Sequence, residues 1–494
     1  MTTMAAVDIG AQSGRVVVGR LDGERLAIQE VHRFPNVPVH ADGRLHWDIL
    51  QLYEQVLEGI SVAARVAGEI DSVGVDTWGV DFGLLDSDGM LLGNPVHHRD
   101  RRTEGVMDRV FATVPARELY ERTGIQLLRF NTIFQLAAVA AAGGSALEAA
   151  DRILLVPDLL HFWLSGVAVC ERTNASTTQC LDPHTGTWAT DLLERLGIPA
   201  APFREIVEPA TVLGRLRNEV AERTGLGDTR VAVPGTHDTA SAVAAVPFRD
   251  PGAAYISAGS WSLVGVELAE PLITVEGFAA NLTNEGGVGG TTRLLKNVDG
   301  LWLLHECRNA WAAEGRTWTF QELTAAAEAA PPLQSFIEPN DPRFLAPGDL
   351  PARVQAFCAE SGQPEPAGAG EITRCILESL ALKHAQTVRV LAEVTGSRPP
   401  EIHVVGGGAL NVPLCRWTAD AAGLPVLAGP VEATAVGNLV TQAIALGELG
   451  SLEEAREVVR ASFEPNIWEP SSSTAWLEAA ERFADLTEPN EVHA

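Results

Sequence analysis

The sequence predicts an α/β protein made of two similar halves, and three observations carry that reading. Apolar strand-like runs alternate with amphipathic helical stretches, a β-β-β-α-β order opens the chain, and a like order begins again near residue 253. At 494 residues the chain exceeds one compact core and suits two domains of roughly 200 to 250 residues each.

Residues 5–9 (AAVDI), 15–20 (RVVVGR) and 26–33 (LAIQEVHR) are separated by GAQSG and DGE, which marks three short strands and their turns. Asp48 stands at a helix-cap position ahead of Ile49, Leu52, Tyr53, Val56 and Ile60, which are spaced for one helical face. DSVGVDTWGVDFGLLDSDG then supplies a strand, a polar turn and another strand. In the second half AAYISAGSWSLVGVEL repeats the layout of AAVDIGAQSGRVVVGRL, and TTRLLKNV adds a third strand. Helices follow near 300–313 and 371–394, where Ile372, Ile376 and Leu380 fall four apart, and EIHVVGGG begins the next strand. Two such halves facing each other make a cleft. The expected domains are 1–247 and 248–455, with the boundary in AVPFRDPG. The Pro- and Ala-rich text of 320–370 reads as an irregular insertion, and 456–494 as a peripheral segment.

The balance of 36 basic against 64 acidic residues gives a net charge of −28, which repels nucleic acid and anionic membrane and argues against both as partners. The opening MTTMAAVDIGAQSGR has no basic region leading into a long apolar core, and no run of about 18 apolar residues occurs, so a cytoplasmic protein is expected. The cysteines Cys170, Cys180, Cys307, Cys358, Cys375 and Cys415 form no C-x-x-C pair, which favours reduced, buried thiols over a zinc site. Cys358 and Cys375 are close enough in sequence to pair.

Several stretches can carry chemistry. In VDIGAQSGR a strand ends on Asp8 before Gly10, Ala11, Gln12, Ser13, Gly14 and Arg15; the backbone N–H groups can wrap a phosphate, or the segment is simply a hairpin turn. SAGSWS offers Ser257, Gly259, Ser260 and Ser262 in the matching place of the second half. VVGGGALN, residues 404–411, lets a flat ring or a phosphate approach the backbone, or makes a tight strand-to-helix turn. GPVEATAVGN, 429–438, ends a strand and opens a helix of small residues. GVDTWGVDFGLLD sets Asp76, Trp78, Gly79 and Asp81 together, an aromatic face beside carboxylates that suits a sugar, and Trp47, Trp261 and Trp302 lie near the same segments. In VAVPGTHDTASAV, Asp238 stands between a strand and a helix. It suits the acceptor of a proton from an alcohol attacking a γ-phosphate, or a helix cap, or both. His237 reads as a positioning group. No G-x-S-x-G elbow or metal-spaced His/Cys cluster appears, so a metal is expected to arrive as Mg²⁺ with a nucleotide.

Taken together, VDIGAQSGR, VGVDTWGVDFGLL, HHRDRRT, FNTIFQL, GTHDTASAV, YISAGSWSL, NLTNEGG, LLKNVDGLWLL and HVVGGGALN…GPVEATAVGN resemble, in order and spacing, the FGGY carbohydrate kinase family from about residue 5 to 450. NLTNEGG…LLKNVDGLWLL sets the chain on the branch acting on L-rhamnulose, apart from xylulose, glycerol and fuculose kinases. The resemblance implies two duplicated ribonuclease-H-like domains of the actin and hexokinase type with an interdomain cleft. It implies phosphorylation of L-rhamnulose by ATP with Mg²⁺, in a monomer or homodimer, with Asp238 as the proton acceptor. It further implies sugar contacts from Gly79, His237, Asp238, Thr239 and Asn297, and ATP contacts from Ala11, Gln12, Ser13, Gly14, Arg15, Ser260 and Gly407. Asp8 would help to hold the metal. The chain departs from the family pattern at Gln12, where a small hydroxyl residue is common, at Ser260 for threonine, and at His305 for an amide. HHRD replaces a tyrosine-containing version but keeps Arg99 and Asp100. The competing readings are a sister ketose kinase for L-fuculose or xylulose, and an actin-like ATPase module without a sugar.

Overall fold

The computed structural model describes residues 1–471 and 474–486. They divide into two compact units, one of residues 1–247, 268–294 and 433–463, the other of 248–267, 295–432 and the chain from 464.

The first unit is built on strands β1 (Thr2–Ile9), β2 (Ser13–Leu21), β3 (Leu26–Pro35), β4 (Ser72–Thr77), β5 (Thr211–Arg215) and β6 (Arg230–Val233), ordered β5-β6-β4-β1-β2-β3. Every residue of β1 and β4 is buried, as befits strands covered on both faces, whereas the edge strand β3 exposes Ala27, Gln29 and Glu30. β1 and β2 pair antiparallel, as do β2 and β3, while β4 runs parallel to both β1 and β6. Asp48 caps the helix Ile49–Ala67 through the backbone N–H of Gln51, as its position in the sequence predicts.

The second unit contains β7 (Ala254–Ala258), β8 (Trp261–Leu268), β9 (Thr292–Asp299), β10 (Ile402–Val405), β11 (Val426–Ala428) and β12 (Asn466–Trp468), ordered β9-β8-β7-β10-β11-β12. β7 is antiparallel to β8 and parallel to β10, and β10 is parallel to β11. Five strands of each sheet follow one order, a meander on one side of the first strand and two parallel strands on the other; the antiparallel edge strand precedes its neighbour in the chain in the first unit and follows it in the second. This is the ribonuclease-H-like topology in duplicate.

Three sequence expectations need correction. The segments 268–294 and 433–463 pack with the first unit and not with the rest of 248–455. The helix Ala433–Leu446 explains why: its small residues allow contact with the helix Asp238–Ala244, and a Cβ on Gly437 would meet Ser241 O at 1.7 Å. The stretch 320–370 is not an irregular insertion. It forms the helices Phe320–Ala329 and Leu350–Glu360 and puts Leu323, Phe336, Phe344 and Val354 into the second core. The end of the chain is not peripheral either, since Trp476 and Phe483 are buried in that core and Val458 and Val459 are buried on the helix Leu452–Ser462.

Candidate active site

The chemistry gathers where the first sheet's parallel strands end. Asp8 and Asp76 are register partners on β1 and β4, and Asp238 opens the helix that follows β6. Asp8 accepts two bonds from Arg15, at 2.9 and 2.7 Å, across the β1–β2 hairpin. Asp76 is fully buried: Oδ2 accepts from Asn438 Nδ2 at 2.6 Å and Oδ1 has no partner. Burial, with Asp8 next to it, pushes the Asp76 carboxyl well above the usual carboxylate range. A buried, unpartnered carboxylate oxygen beside a second acid fits a hard divalent cation, which takes oxygen ligands and relieves the repulsion.

Asp238 is not a helix cap. His237 occupies that position with extended backbone, and Asp238 is the first helical residue, its Oδ1 accepting from Thr239 Oγ1 at 3.2 Å. About a third (31%) of its side chain meets solvent. Its acidity is weakened by burial and by Asp8, against the opposing pull of His237, so its carboxyl titrates above the ordinary aspartate value.

The turn after β1 is shaped as the sequence suggests. Gly10 N–H donates to Ser13 O, and Asn36 pins the turn through bonds from its N–H to Gln12 O and from its side chain to Gly10 O. Gly14 is required by close packing, because a Cβ there would lie 2.2 Å from the Phe34 ring. Ala11, Gln12 and Ser13 remain open to solvent in part. Arg15 is committed to Asp8, so any phosphate contact it makes is shared with that carboxylate.

Four residues that sequence reading passed over hold His237. Glu171 is buried and accepts from Thr173 N and Oγ1 (2.7 and 2.6 Å), Asn174 N (3.2 Å), and Thr236 N and Oγ1 (3.0 and 2.6 Å). It thereby fastens the residue before His237, while Thr173 Oγ1 accepts from His237 N–H at 3.2 Å. His237 Nδ1 lies 3.2 Å from Glu285 Oε2 and 3.1 Å from Arg293 Nη2, and Nε2 lies 3.6 Å from Asp238 Oδ1. Burial works against ionisation of Glu285, yet His237 and Arg293 outweigh it and hold the carboxyl below its usual value. Glu285 belongs to the quoted NLTNEGG, so a signal was present; Glu171, in CERTNASTTQ, carried none.

The tryptophan segment also differs in detail. Asp81 is not free for sugar hydroxyls: Oδ2 accepts from Trp47 Nε1 (2.6 Å), Trp78 Nε1 (2.9 Å) and His98 (Nδ1 2.8 Å, N–H 3.2 Å), and Oδ1 from Gln135 Nε2 (3.1 Å). Burial pushes its pKa up, but His98 and the Trp47 indole donor prevail and hold its carboxyl at about 2. It is a positioning group that locks the Trp47–Trp78 pair, whose rings lie 4.0 Å apart, with His97 stacked on Trp47 at 4.0 Å. Asp81, His97 and His98 have metal-ligand spacing, but the carboxylate is saturated by N–H donors. Gly79 borders this cluster, where a Cβ would meet Thr177 Oγ1 at 2.9 Å. The next residue, Val80, has φ of 66°, a costly conformation for a β-branched residue. It is held by Thr177 and by Thr132 Oγ1, which donates to Val80 O at 2.6 Å.

Thus Asp8, Ala11 to Arg15, Gly79, His237, Asp238 and Thr239 all belong to the first unit, and Ser260, Asn297 and Gly407 to the second. Ser260 O accepts from the N–H groups of Gly300 and Trp302, which fixes the β7–β8 turn. Gly300 must be glycine, since a Cβ would sit 2.6 Å from the Trp261 backbone. Asn297 lies on β9 with its carbonyl accepting from Asn340. At Gly407 a Cβ would meet no protein atom within 4 Å, whereas at Gly408 it would collide with Ala258 at 2.4 Å. Packing therefore accounts for the second glycine and not the first. His305 rests edge-on against Phe320 at 4.6 Å. Cys358 and Cys375 are thiols with Sγ atoms 3.9 Å apart. Among the described residues no helix is long and apolar enough to cross a membrane.

Duplicated ribonuclease-H-like units, with acids at the ends of the first sheet and a glycine-bearing turn, fit an ATP-dependent phosphotransferase, and comparison with known proteins gives the family. Residues 3–245 match the N-terminal domain and residues 254–446 the C-terminal domain of the FGGY family of carbohydrate kinases, and the chain belongs to that family. It is a sugar kinase, and ATP is its second substrate. Relatives include a rhamnulokinase of Bacteroides thetaiotaomicron, 43% identical over 95% of this chain and 96% of its own, and one of Bacillus subtilis, 42% identical over 94% and 95%. Among solved structures, a ligand-bound xylulose kinase from Lactobacillus acidophilus superposes with a TM-score of 0.82 at 17% identity, covering 99% of this chain and 98% of its own. A glycerol kinase from Plasmodium falciparum with ADP gives 0.77 at 16%, covering 98% of both chains. These structures establish the shared fold.

Proposed function

We propose that the protein phosphorylates L-rhamnulose to L-rhamnulose 1-phosphate at the expense of ATP, in the cytoplasmic breakdown of L-rhamnose, as a monomer or homodimer. The observation that supports the acceptor is agreement along almost the whole chain with proteins named rhamnulokinases, at 39–43% identity. The xylulose kinase likenesses stand at 16–20%. A fuculose or xylulose kinase, and an actin-like ATPase without a sugar, are correspondingly disfavoured.

In this reading the sugar O1 attacks the γ-phosphorus as its proton passes to Asp238. The O1–P bond forms, the P–O bond to the β-phosphate breaks, and ADP leaves with that electron pair. Phosphoryl transfer of this kind is loose, so aiming the hydroxyl matters as much as basicity. Asp238 suits the task by lying half-buried beside His237, which Glu171, Thr173 and Glu285 keep in place. Thr239, Gly79 and Asn297 serve the sugar. The turn from Ala11 to Arg15, with Ser260, serves the phosphates, and Gly407 the adenosine. Asp8 and Asp76 fit Mg²⁺, which when bound with the nucleotide neutralises phosphate charge.

Purified protein with Mg-ATP and a panel of ketoses tests this. ADP release at least about tenfold faster with L-rhamnulose than with L-fuculose or xylulose is expected. Equal rates across the panel, or ADP release indifferent to sugar, would overturn it.

A further inference from the structure

A second recess lies in the first unit, away from the three acids. It is a cavity of about 830 Å³ whose wall includes Arg44, Arg102 and Arg109 together with Phe82, Leu92 and Ala142. Its volume is in the range of sites for small organic ligands, larger than a lone inorganic ion needs. Every charged residue in its lining is an arginine, in a chain where acids outnumber bases 64 to 36. The carboxylates near them, Asp81 and Asp100, are engaged by other donors. Asp100 accepts from the backbone N–H groups of Leu45 and Arg102, and its ion pair with Arg44 is long, at 3.9 Å.

The arginines are also short of partners. Arg109 is exposed and makes no ion pair or hydrogen bond among the described residues. Arg102 is more telling: its Nε is buried with no acceptor, and its guanidinium lies 5.9 Å from the Phe82 ring centre. Burial lowers its pKa to about 10 against the opposing pull of Asp81 and Asp100, still far above neutrality, so the charge stays, and among the described residues no carboxylate accepts a bond from its guanidinium. Guanidinium groups recognise phosphate oxygens through paired N–H donors, and an apolar floor takes the body of the molecule.

We infer that this cavity binds an organic phosphate, its head on Arg44, Arg102 and Arg109 and its apolar portion on Phe82, Leu92 and Ala142. The site has one line of contact to the sugar side. Arg102 Nη2 donates to Gln135 Oε1, Gln135 Nε2 donates to Asp81, and Asp81 accepts from Trp78. An anion that draws Arg102 outward loosens this chain, so its effect falls on sugar binding more than on turnover.

Calorimetric titration of the full chain with phenyl phosphate, under saturating Mg-ADP, tests the site. Phenyl phosphate should bind at least about tenfold more tightly than inorganic phosphate. The double variant Arg44→Glu/Arg109→Glu should lose that binding by at least about tenfold while keeping its basal kcat. No saturable binding in the millimolar range, or equal binding by the double variant, would overturn the site. At saturating phenyl phosphate the KM for the ketose should change at least about twofold with kcat steady, and the change should vanish in the double variant. Binding with an unchanged KM would refute the connection to Trp78.

Discussion

Asp8 and Asp76 face each other in register on neighbouring parallel strands, yet Asp8 accepts two bonds from Arg15 while Asp76 keeps a buried oxygen with none. The asymmetry gives Asp76 the character of a ligand awaiting a cation. In Asp76→Asn, thermal stability without ligand should rise, because a buried acid beside another acid is removed. The additional stabilisation that Mg²⁺ gives to the ADP complex should shrink. Differential scanning fluorimetry with ADP, with and without Mg²⁺, reads both; an undiminished Mg²⁺ increment would exclude Asp76 from the metal site.

Asp238→Asn retains the shape of the side chain and removes its basicity. Turnover should fall by roughly 10² to 10⁴, the usual contribution of a positioned general base, while ATP affinity stays within about twofold. A variant keeping most of its kcat would assign the proton elsewhere.

The pH dependence follows from the same carboxyl. Burial raises its pKa, and the proton acceptor must be ionised, so the acid limb of kcat/KM should lie above the ordinary aspartate value of about 4. His237 opposes this rise, so His237→Asn should move the limb to higher pH. The linked effect on stability has a definite sign. A carboxyl whose folded value is raised binds protons more tightly when folded, so its contribution is full below the unfolded value and is lost as pH rises through the folded one. Asp238→Asn should therefore unfold at no lower temperature than the parent at pH 7. A limb that moved down in His237→Asn would contradict the assignment.

Glu171 is the anchor of this corner, and its effect should separate geometry from chemistry. Glu171→Ala leaves four hydrogen-bond donors of Thr173 and Thr236 unpaired and should cost about 2–4 kcal/mol of stability, read by urea denaturation. Glu171→Gln should recover much of the stability while kcat remains depressed. If Glu171→Ala unfolds like the parent, the network is not structural.

Two glycines make opposite forecasts. Gly437→Ala drives a methyl into Ser241 O and should destabilise by about 1–3 kcal/mol. The methyl of Gly407→Ala meets nothing in the protein within 4 Å, so stability should change by less than about 0.5 kcal/mol while the KM for ATP rises several-fold. An unchanged KM would remove the nucleotide from that face.

What the sequence told and what it hid divide along physical lines. Local signals survived: the Asp48 cap, the β1–β2 turn and the strand-to-helix step before Asp238 follow from residue type and spacing alone. The duplication was legible because both sheets repeat one order of apolar runs. Long-range partners were not. Nothing near Glu171 announces that it will hold Thr236, and nothing near Asp81 announces the Trp47 indole as a donor, because those bonds span 65 and 34 positions. The region 320–370 misled because proline-rich connections masked two short helices whose apolar faces form a core. His237 took the capping place expected for Asp238, since extended backbone there frees the acid to project beyond the helix.

The helix Ala433–Leu446 has a consequence for biogenesis. Asn438 donates to Gly74 O and Asp76, and Gln442 bridges Ala5 and Ser72, so the opening strands are completed by residues made 362 to 437 positions later. A nascent chain emerging from the ribosome holds Asp76 without its amide neighbour until translation is nearly done. Premature termination before this helix thus yields a fragment in which the corner of Asp8, Asp76 and Asp238 has all its acids and lacks the Asn438 and Gln442 side chains that close it.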